Sequence, residues 1–253
     1  MDKIFYDGIF KRKSFHLFRN TGDGHISEEE LKDISDAWKG FEALKPEIRT
    51  EIRIVTSDKV SFKRDAEYCI MIYSEKKDNY LMNCGYLGEQ LDLYLVEHNI
   101  GTLWFGLGKT DEPVYNGLDY VIMIAIKKIS DETMFRKDMF KATRKSLEEV
   151  WQGELEEVGN IARFAPSACN SQPWRVTCEK GLLTVSRYRK NNKIGIMSPK
   201  QAFFFNRIDM GIYLCFLELC LEEKKIQTER TLFSDNADGE MNKVAEYRII
   251  LQK

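Results

Sequence analysis

Apolar residues recur along this chain in two rhythms, one helical and one alternating, and the same succession of elements comes round twice. Leu31, Ile34, Trp38 and Phe41 fall at helical spacing and predict an amphipathic helix over 27–44. Ser27 stands at its start with Glu30 three residues on, the pattern of a capping box in which each side chain accepts the other residue's backbone N–H. Glu51 to Val55 alternates as a strand, with Val60, Ser61 and Phe62 as its expected partner, and Cys69 to Tyr73 reads as a more buried strand. Leu81, Cys84, Leu87, Leu91 and Leu95 then form the stripe of a helix over 80–98, and Tyr120 to Ile126 is the most evident buried strand.

The second half repeats that order. Leu147, Val150, Leu155, Val158, Ile161 and Ala162 predict a helix over 146–164. Strands at 174–178 and 182–185 flank a Lys180-Gly181 turn, a long apolar helix follows at 202–224, and Tyr247 to Leu251 closes as a strand. Helix 27–44 thus matches 146–164, the strand pair near 51–63 matches 174–188, helix 80–98 matches 202–224, and strand 120–126 matches 247–251. The repetition predicts two similar αβ units, residues 1–145 and 146–253, and an α+β fold of mixed or antiparallel sheets flanked by helices.

Composition narrows the function classes. A chain of 253 residues with 43% hydrophobic content can bury a sizeable core. Its net charge of -2 offers no basic field for nucleic acid. No apolar run reaches the roughly 18 residues that span a bilayer, so no membrane association is expected. The start, Met1 to Asp7, lacks the apolar core of a signal peptide, which leads us to expect a cytoplasmic protein. The six cysteines show no Cys-x-x-Cys spacing, and neither disulfides nor a zinc site are expected. Asn20 to Glu30 resembles a calcium loop only briefly, because its first and third ligand positions fall on Arg19 and Thr21.

Four stretches carry candidate chemistry. Ala165-Pro166-Ser167-Ala168-Cys169-Asn170-Ser171-Gln172-Pro173-Trp174 joins the helix 146–164 to a strand. Two prolines fix its backbone, and small residues and two amides lie between them, a composition suited either to stopping a helix or to meeting a flat polar ligand. Lys11-Arg12-Lys13-Ser14-Phe15-His16 sets cations beside a hydroxyl, which suits a phosphate or a solvated basic turn. Gly106 and Gly108 around Leu107 form a turn or permit close backbone approach to a ligand. Phe135 to Lys145 is a basic run holding Arg136, Lys137, Lys141, Arg144 and Lys145, the composition of a solvated linker.

The Pro166–Trp174 string resembles the signature of the FMN-dependent nitroreductase family, and the Arg12 segment resembles that family's phosphate-binding motif. The resemblance implies a loop packed on the flavin ring through Pro166, Ser167, Ala168, Asn170 and Gln172. It implies phosphate contacts from Arg12, Lys13, Ser14 and His16, with His16 standing where Arg or Lys is commoner. Gly106, Leu107 and Gly108 would lie near the reactive edge of the ring, and Lys141 or Arg144 would add a phosphate contact. Because the two motifs fall in different halves, and the first half has lost its own loop near Pro46, the chain resembles a fused pseudo-dimer of the TM nitroreductase type. One FMN per chain, at the contact between the halves, and a monomeric state are the corresponding expectations. The implied activity is ping-pong transfer of electrons from NADH or NADPH to nitroaromatic or quinone-like small molecules, with no catalytic side chain. An FMN-binding reservoir or sensor without turnover is the alternative.

Overall fold

Ser27 caps the helix α2 (Glu28–Gly40) as its sequence predicts: its hydroxyl accepts the Glu30 N–H and the Glu30 carboxylate accepts the Ser27 N–H. The computed structural model describes residues 3–61, 64–189 and 192–250. A short helix α1 (Lys3–Lys11) precedes the basic segment. β1 (Thr50–Thr56), β2 (Tyr68–Ser74), β3 (Ile100–Phe105), β4 (Val114–Tyr115) and β5 (Leu118–Lys128) form an antiparallel sheet of order β1-β2-β5-β3, with β4 paired on β5. Helix α3 (Tyr80–Glu97) links β2 to β3. Phe15, Phe18, Met71, Tyr73, Leu103, Met123 and Phe135 lie in the buried core against this sheet.

The second sheet is mixed. α4 (Leu147–Val150) leads into β6 (Trp151–Gly153), which runs parallel to β7 (Trp174–Glu179). Helix α5 (Glu156–Ala162) follows β6, and the sheet continues through β8 (Leu182–Tyr188), β10 (Met241–Ile249) and β9 (Thr228–Leu232), in the order β6-β7-β8-β10-β9. The long helix α6 (Pro199–Glu223) is buried on nearly every side from Phe205 to Leu221. Corresponding strands of the two sheets occupy the same places, β1-β2-β5-β3 in one and β7-β8-β10-β9 in the other. Tertiary contacts divide the chain into a unit of the residues up to Tyr80 with Leu87–Met139, and a unit of Leu81–Tyr86 with Phe140 onward. Among the described residues no helix is long and apolar enough to cross a membrane, and the six cysteines carry free thiols.

Three expectations need correction. The helix predicted over 146–164 is two short helices interrupted by β6. The break is set by Gly153, whose φ of +92° suits glycine and where a Cβ would meet the Cys178 carbonyl oxygen, and by Leu155 in the left-handed region. Pairing of Trp151–Gly153 with β7 outweighs the helical spacing around it. Val60 does not pair with β1; it makes an isolated bridge with Thr110, and β1 pairs with β2 instead. Phe62 lies outside the described residues. β3 and β9 are strands not expected above, β9 because Thr228-Glu229-Arg230-Thr231-Leu232 is a polar sheet edge. The final strand was read over 247–251, but it begins at Met241; Leu251 lies outside the described residues.

Candidate functional site

In the first unit the basic segment leaves the end of α1 and runs beside β3. Ser14 bridges Thr102, and the Phe15 N–H donates to the Thr102 carbonyl. The segment's cations are thereby sent to different environments. Arg12 is only 5% exposed, and its Nε donates to Asp92 Oδ2 at 2.9 Å. Asp92 also accepts from the Thr102 hydroxyl at 2.5 Å and from Trp104 Nε1 at 2.9 Å. Glu89, one turn earlier on α3, is fully buried 3.8 Å from Arg12, and neither of its carboxyl oxygens has a hydrogen-bond partner among the described residues. Burial works against the Arg12 charge, but Asp92 and Glu89 outweigh it and raise its pKa. Burial, then repulsion from Asp92, pushes Glu89 well above the carboxylate range.

Lys13 and Arg136 are different. Both are half-buried and neither has a carboxylate partner among the described residues. Lys13 Nζ sits 4.7 Å from the centre of the Phe15 ring. Burial lowers its pKa, and the neighbouring Arg136 lowers it further. Arg136 is lowered by burial and then by Arg12. Its backbone N–H donates to the Lys11 carbonyl, which fixes that stretch of chain beside the basic segment. The Ser14 hydroxyl takes a long 3.4 Å contact from Arg12 Nη2. Lys13, Arg136 and Ser14 therefore form a positive cluster with an under-compensated charge, and its donors fit a phosphate. His16 is exposed and uses its carbonyl to accept from Arg64.

Gly106 and Leu107 are exposed just past the end of β3. Gly108 is buried, and a side chain there would collide with Met123 of β5, so close packing explains this glycine. Its carbonyl accepts from the Tyr120 hydroxyl at 3.3 Å.

In the second unit the Pro166–Trp174 loop begins at the buried Pro166, with Ser167 and Ala168 half-exposed. A short 3-10 turn, Ala168–Asn170, carries Cys169 and Asn170 at positive φ, and Gln172 follows at φ +47°. Such a run of left-handed residues other than glycine is costly and persists only where surroundings hold it. The two amides supply part of the hold. Gln172 Oε1 accepts the Lys145 N–H at 2.8 Å, Gln172 Nε2 donates to the Asn170 carbonyl and side-chain oxygens, and Asn170 Nδ2 donates to the Thr143 carbonyl. Arg144 Nη1 donates to Asn170 Oδ1 at 3.2 Å and its Nη2 to the Phe164 carbonyl. Asn170, Gln172 and Arg144 are thus brought together, and they brace the loop. Lys141 is exposed.

The floor of the loop is α6. Asp209 Oδ1 accepts the Ala168 N–H at 3.0 Å, and Ser171 Oγ lies 2.9 Å from Asn206 Oδ1 and 3.3 Å from Asp209 Oδ2. Burial pushes the Asp209 carboxyl up to about 8, its two loop contacts offsetting only part of the effect. Trp174, fully buried at the loop's far end, stacks on Tyr213 with ring centroids 4.7 Å apart. Asp92, Glu89 and Asp209 were not singled out from the sequence, and Arg136 was named only as one of the cations of its basic run. For Asp209 a signal exists: a carboxylate inside a helix that is apolar all round must find partners there.

A family model described as "Putative TM nitroreductase" matches residues 5–221. Among solved structures, a "putative nitroreductase" from Thermotoga maritima MSB8 aligns with 97% of this chain and 93% of its own at a TM-score of 0.62 and 19% identity. A nitroreductase family protein from Clostridium difficile 630 aligns with 59% of this chain and 96% of its own, at 0.46 and 16%. A nitroreductase with bound FMN from Desulfitobacterium hafniense DCB-2 aligns with 58% and 100%, at 0.39 and 15%. No curated protein matches the chain. The α+β architecture is thus a nitroreductase-like fold. The chain belongs to the TM nitroreductase family.

Proposed function

We propose that this protein is an FMN-dependent oxidoreductase that passes electrons from NADH or NADPH to small nitroaromatic or quinone-like acceptors. The observation that carries this reading is that Lys13 and Arg136, the latter held to the basic segment by its N–H on the Lys11 carbonyl, are both half-buried cations with no carboxylate partner among the described residues. Such an arrangement is relieved by an anion, and the Ser14 hydroxyl beside it suits a phosphate. When bound, FMN would supply two-electron redox chemistry between a nicotinamide donor and the acceptor.

The chain's own residues have narrower tasks. Lys13, Ser14 and Arg136 hold the phosphate. Arg12, neutralised by Asp92, fixes the geometry of the segment rather than contributing net charge. Pro166, Ser167 and Ala168 offer backbone and small side chains to the ring, while Asn170, Gln172 and Arg144 keep the loop in shape. His16, Gly106 and Leu107 are exposed and open to cofactor or substrate. No acid or base is required of the protein, so the site would tolerate a range of flat acceptors.

The test is spectroscopic. Protein titrated with FMN should bind one equivalent and bleach anaerobically on addition of NADH or NADPH, with ping-pong kinetics toward a quinone. Binding without bleaching by either donor would favour a reservoir or sensor. Absence of binding would overturn the flavin reading, and a stoichiometry of two would overturn the single site.

A further inference from the structure

We propose that Asp209 is a positioning residue for the Pro166–Trp174 loop, its carboxyl group reaching from the buried body of α6 to the Ala168 N–H and the Ser171 hydroxyl and fixing the backbone that receives the flavin ring. The proposal deepens the flavin reading and rests on it for the identity of the ligand. The loop contains three non-glycine residues at positive φ, Cys169, Asn170 and Gln172, so its conformation must be imposed by neighbours. The amides of Asn170 and Gln172 brace it against Thr143 and Lys145. Asp209 is the one carboxyl bonded to the loop's backbone among the described residues, and it is only 3% exposed.

The Ser171 hydroxyl donates to Asn206 Oδ1 at 2.9 Å and to Asp209 Oδ2 at 3.3 Å, so Asp209 accepts from the Ala168 N–H through one oxygen and from Ser171 through the other. Burial outweighs these two contacts and keeps the acid protonated to about pH 8.

The charged and titratable groups around it are committed elsewhere. Arg163 at the end of α5 donates to Asn160 and the Lys145 carbonyl, Arg207 on α6 pairs with Asp235, and Arg144 binds Asn170 and Phe164. Tyr213 stacks on Trp174, Tyr86 donates to Glu218, and Cys169 is exposed. None of these hydrogen-bonds Asp209. Above pH 8 a buried charge is left in the floor of the loop.

Hydrogen exchange read by mass spectrometry on the full chain, with and without added FMN, tests this without relying on turnover. Asp209→Asn keeps an uncharged group of the same shape with an acceptor for the Ala168 N–H, and should exchange like the parent in peptides covering 164–174. Asp209→Leu should exchange about tenfold faster there, with β7, β8 and α6 unchanged, and should bind FMN about tenfold more weakly. Between about pH 7 and 9, exchange of the parent loop, corrected for intrinsic chemistry, should rise while that of Asp209→Asn stays flat. Loop protection in Asp209→Leu equal to the parent's would overturn the proposal. Should that variant not fold, identical pH behaviour of the parent and Asp209→Asn would overturn it instead. A parent that binds no FMN would overturn the flavin reading, while the exchange comparison still decides whether Asp209 holds the loop.

Discussion

Arg12 and Asp92 form a buried ion pair, Nε to Oδ2 at 2.9 Å, eighty positions apart in the chain. The pair ties the basic segment after α1 to the middle of α3, and Thr102 and Trp104 of β3 complete the carboxylate's hydrogen bonds. A buried pair of this kind is a poor source of net stability but is costly to break, because the partner left behind is a bare charge. Arg12→Ala strands Asp92 beside Glu89. We expect a loss of about 3–5 kcal/mol of unfolding free energy, measured by urea denaturation. Arg12→Met with Asp92→Leu should recover most of it.

Lys13 and Arg136 should behave in the opposite way. Neither is committed to a carboxylate, so Lys13→Ala and Arg136→Ala leave stability within about 0.5 kcal/mol of the parent. Each should weaken FMN binding by about 1.5–3 kcal/mol if the phosphate is held by charge-assisted hydrogen bonds. Riboflavin, which lacks the phosphate, should bind parent and variants alike. Fluorescence quenching on titration measures both ligands.

The contrast between these cations marks where the sequence stops being informative. Lys11 to His16 announces a cluster of positive charge, and the structure does place a basic segment there. It does not announce that Arg12 is neutralised, since the neutralising carboxylate lies on α3 and looks from its local pattern like an exposed helix position. Long, strongly patterned elements were legible: α3, α6, β5 and the capping box of α2 all follow from local spacing. The break at Trp151 was not, because it depends on β7 offering a parallel partner and on Gly153 passing close to Cys178. Asn170 and Gln172 were visible as candidates, but only their partners Thr143, Arg144 and Lys145 show that they brace the loop.

Glycine carries a further packing prediction in the second unit. A Cβ on Gly211 of α6 would lie 1.9 Å from the Met82 carbonyl oxygen, and one on Gly85 would lie 2.0 Å from the Ile208 carbonyl oxygen. Backbone meets backbone at this crossing, so no side chain can swing away. Gly211→Ala should cost about 3 kcal/mol or more despite the better helix propensity of alanine. Thermal unfolding followed by circular dichroism is the measurement. A neutral or stabilising result would mean that the two segments do not cross so closely.

Asp209 gives a pH dependence whose sign is fixed by the direction of its shift. In the unfolded chain its carboxyl titrates near the ordinary value of about 4, whereas in the folded protein burial pushes it up to about 8. Between those values the folded state holds a proton that the unfolded state has released. Stability is therefore lost as pH rises from about 4 to about 8, at up to about 1.4 kcal/mol per pH unit, and the loss levels off above the folded value. Asp209→Asn has no such proton to keep. Its unfolding free energy should rise steadily relative to the parent's from about pH 5 to 8, making the variant the relatively more stable protein, and the difference should then stay constant. Urea denaturation of the two proteins at matched pH measures the difference directly. Parallel curves over this range would mean that Asp209 ionises normally in the folded protein.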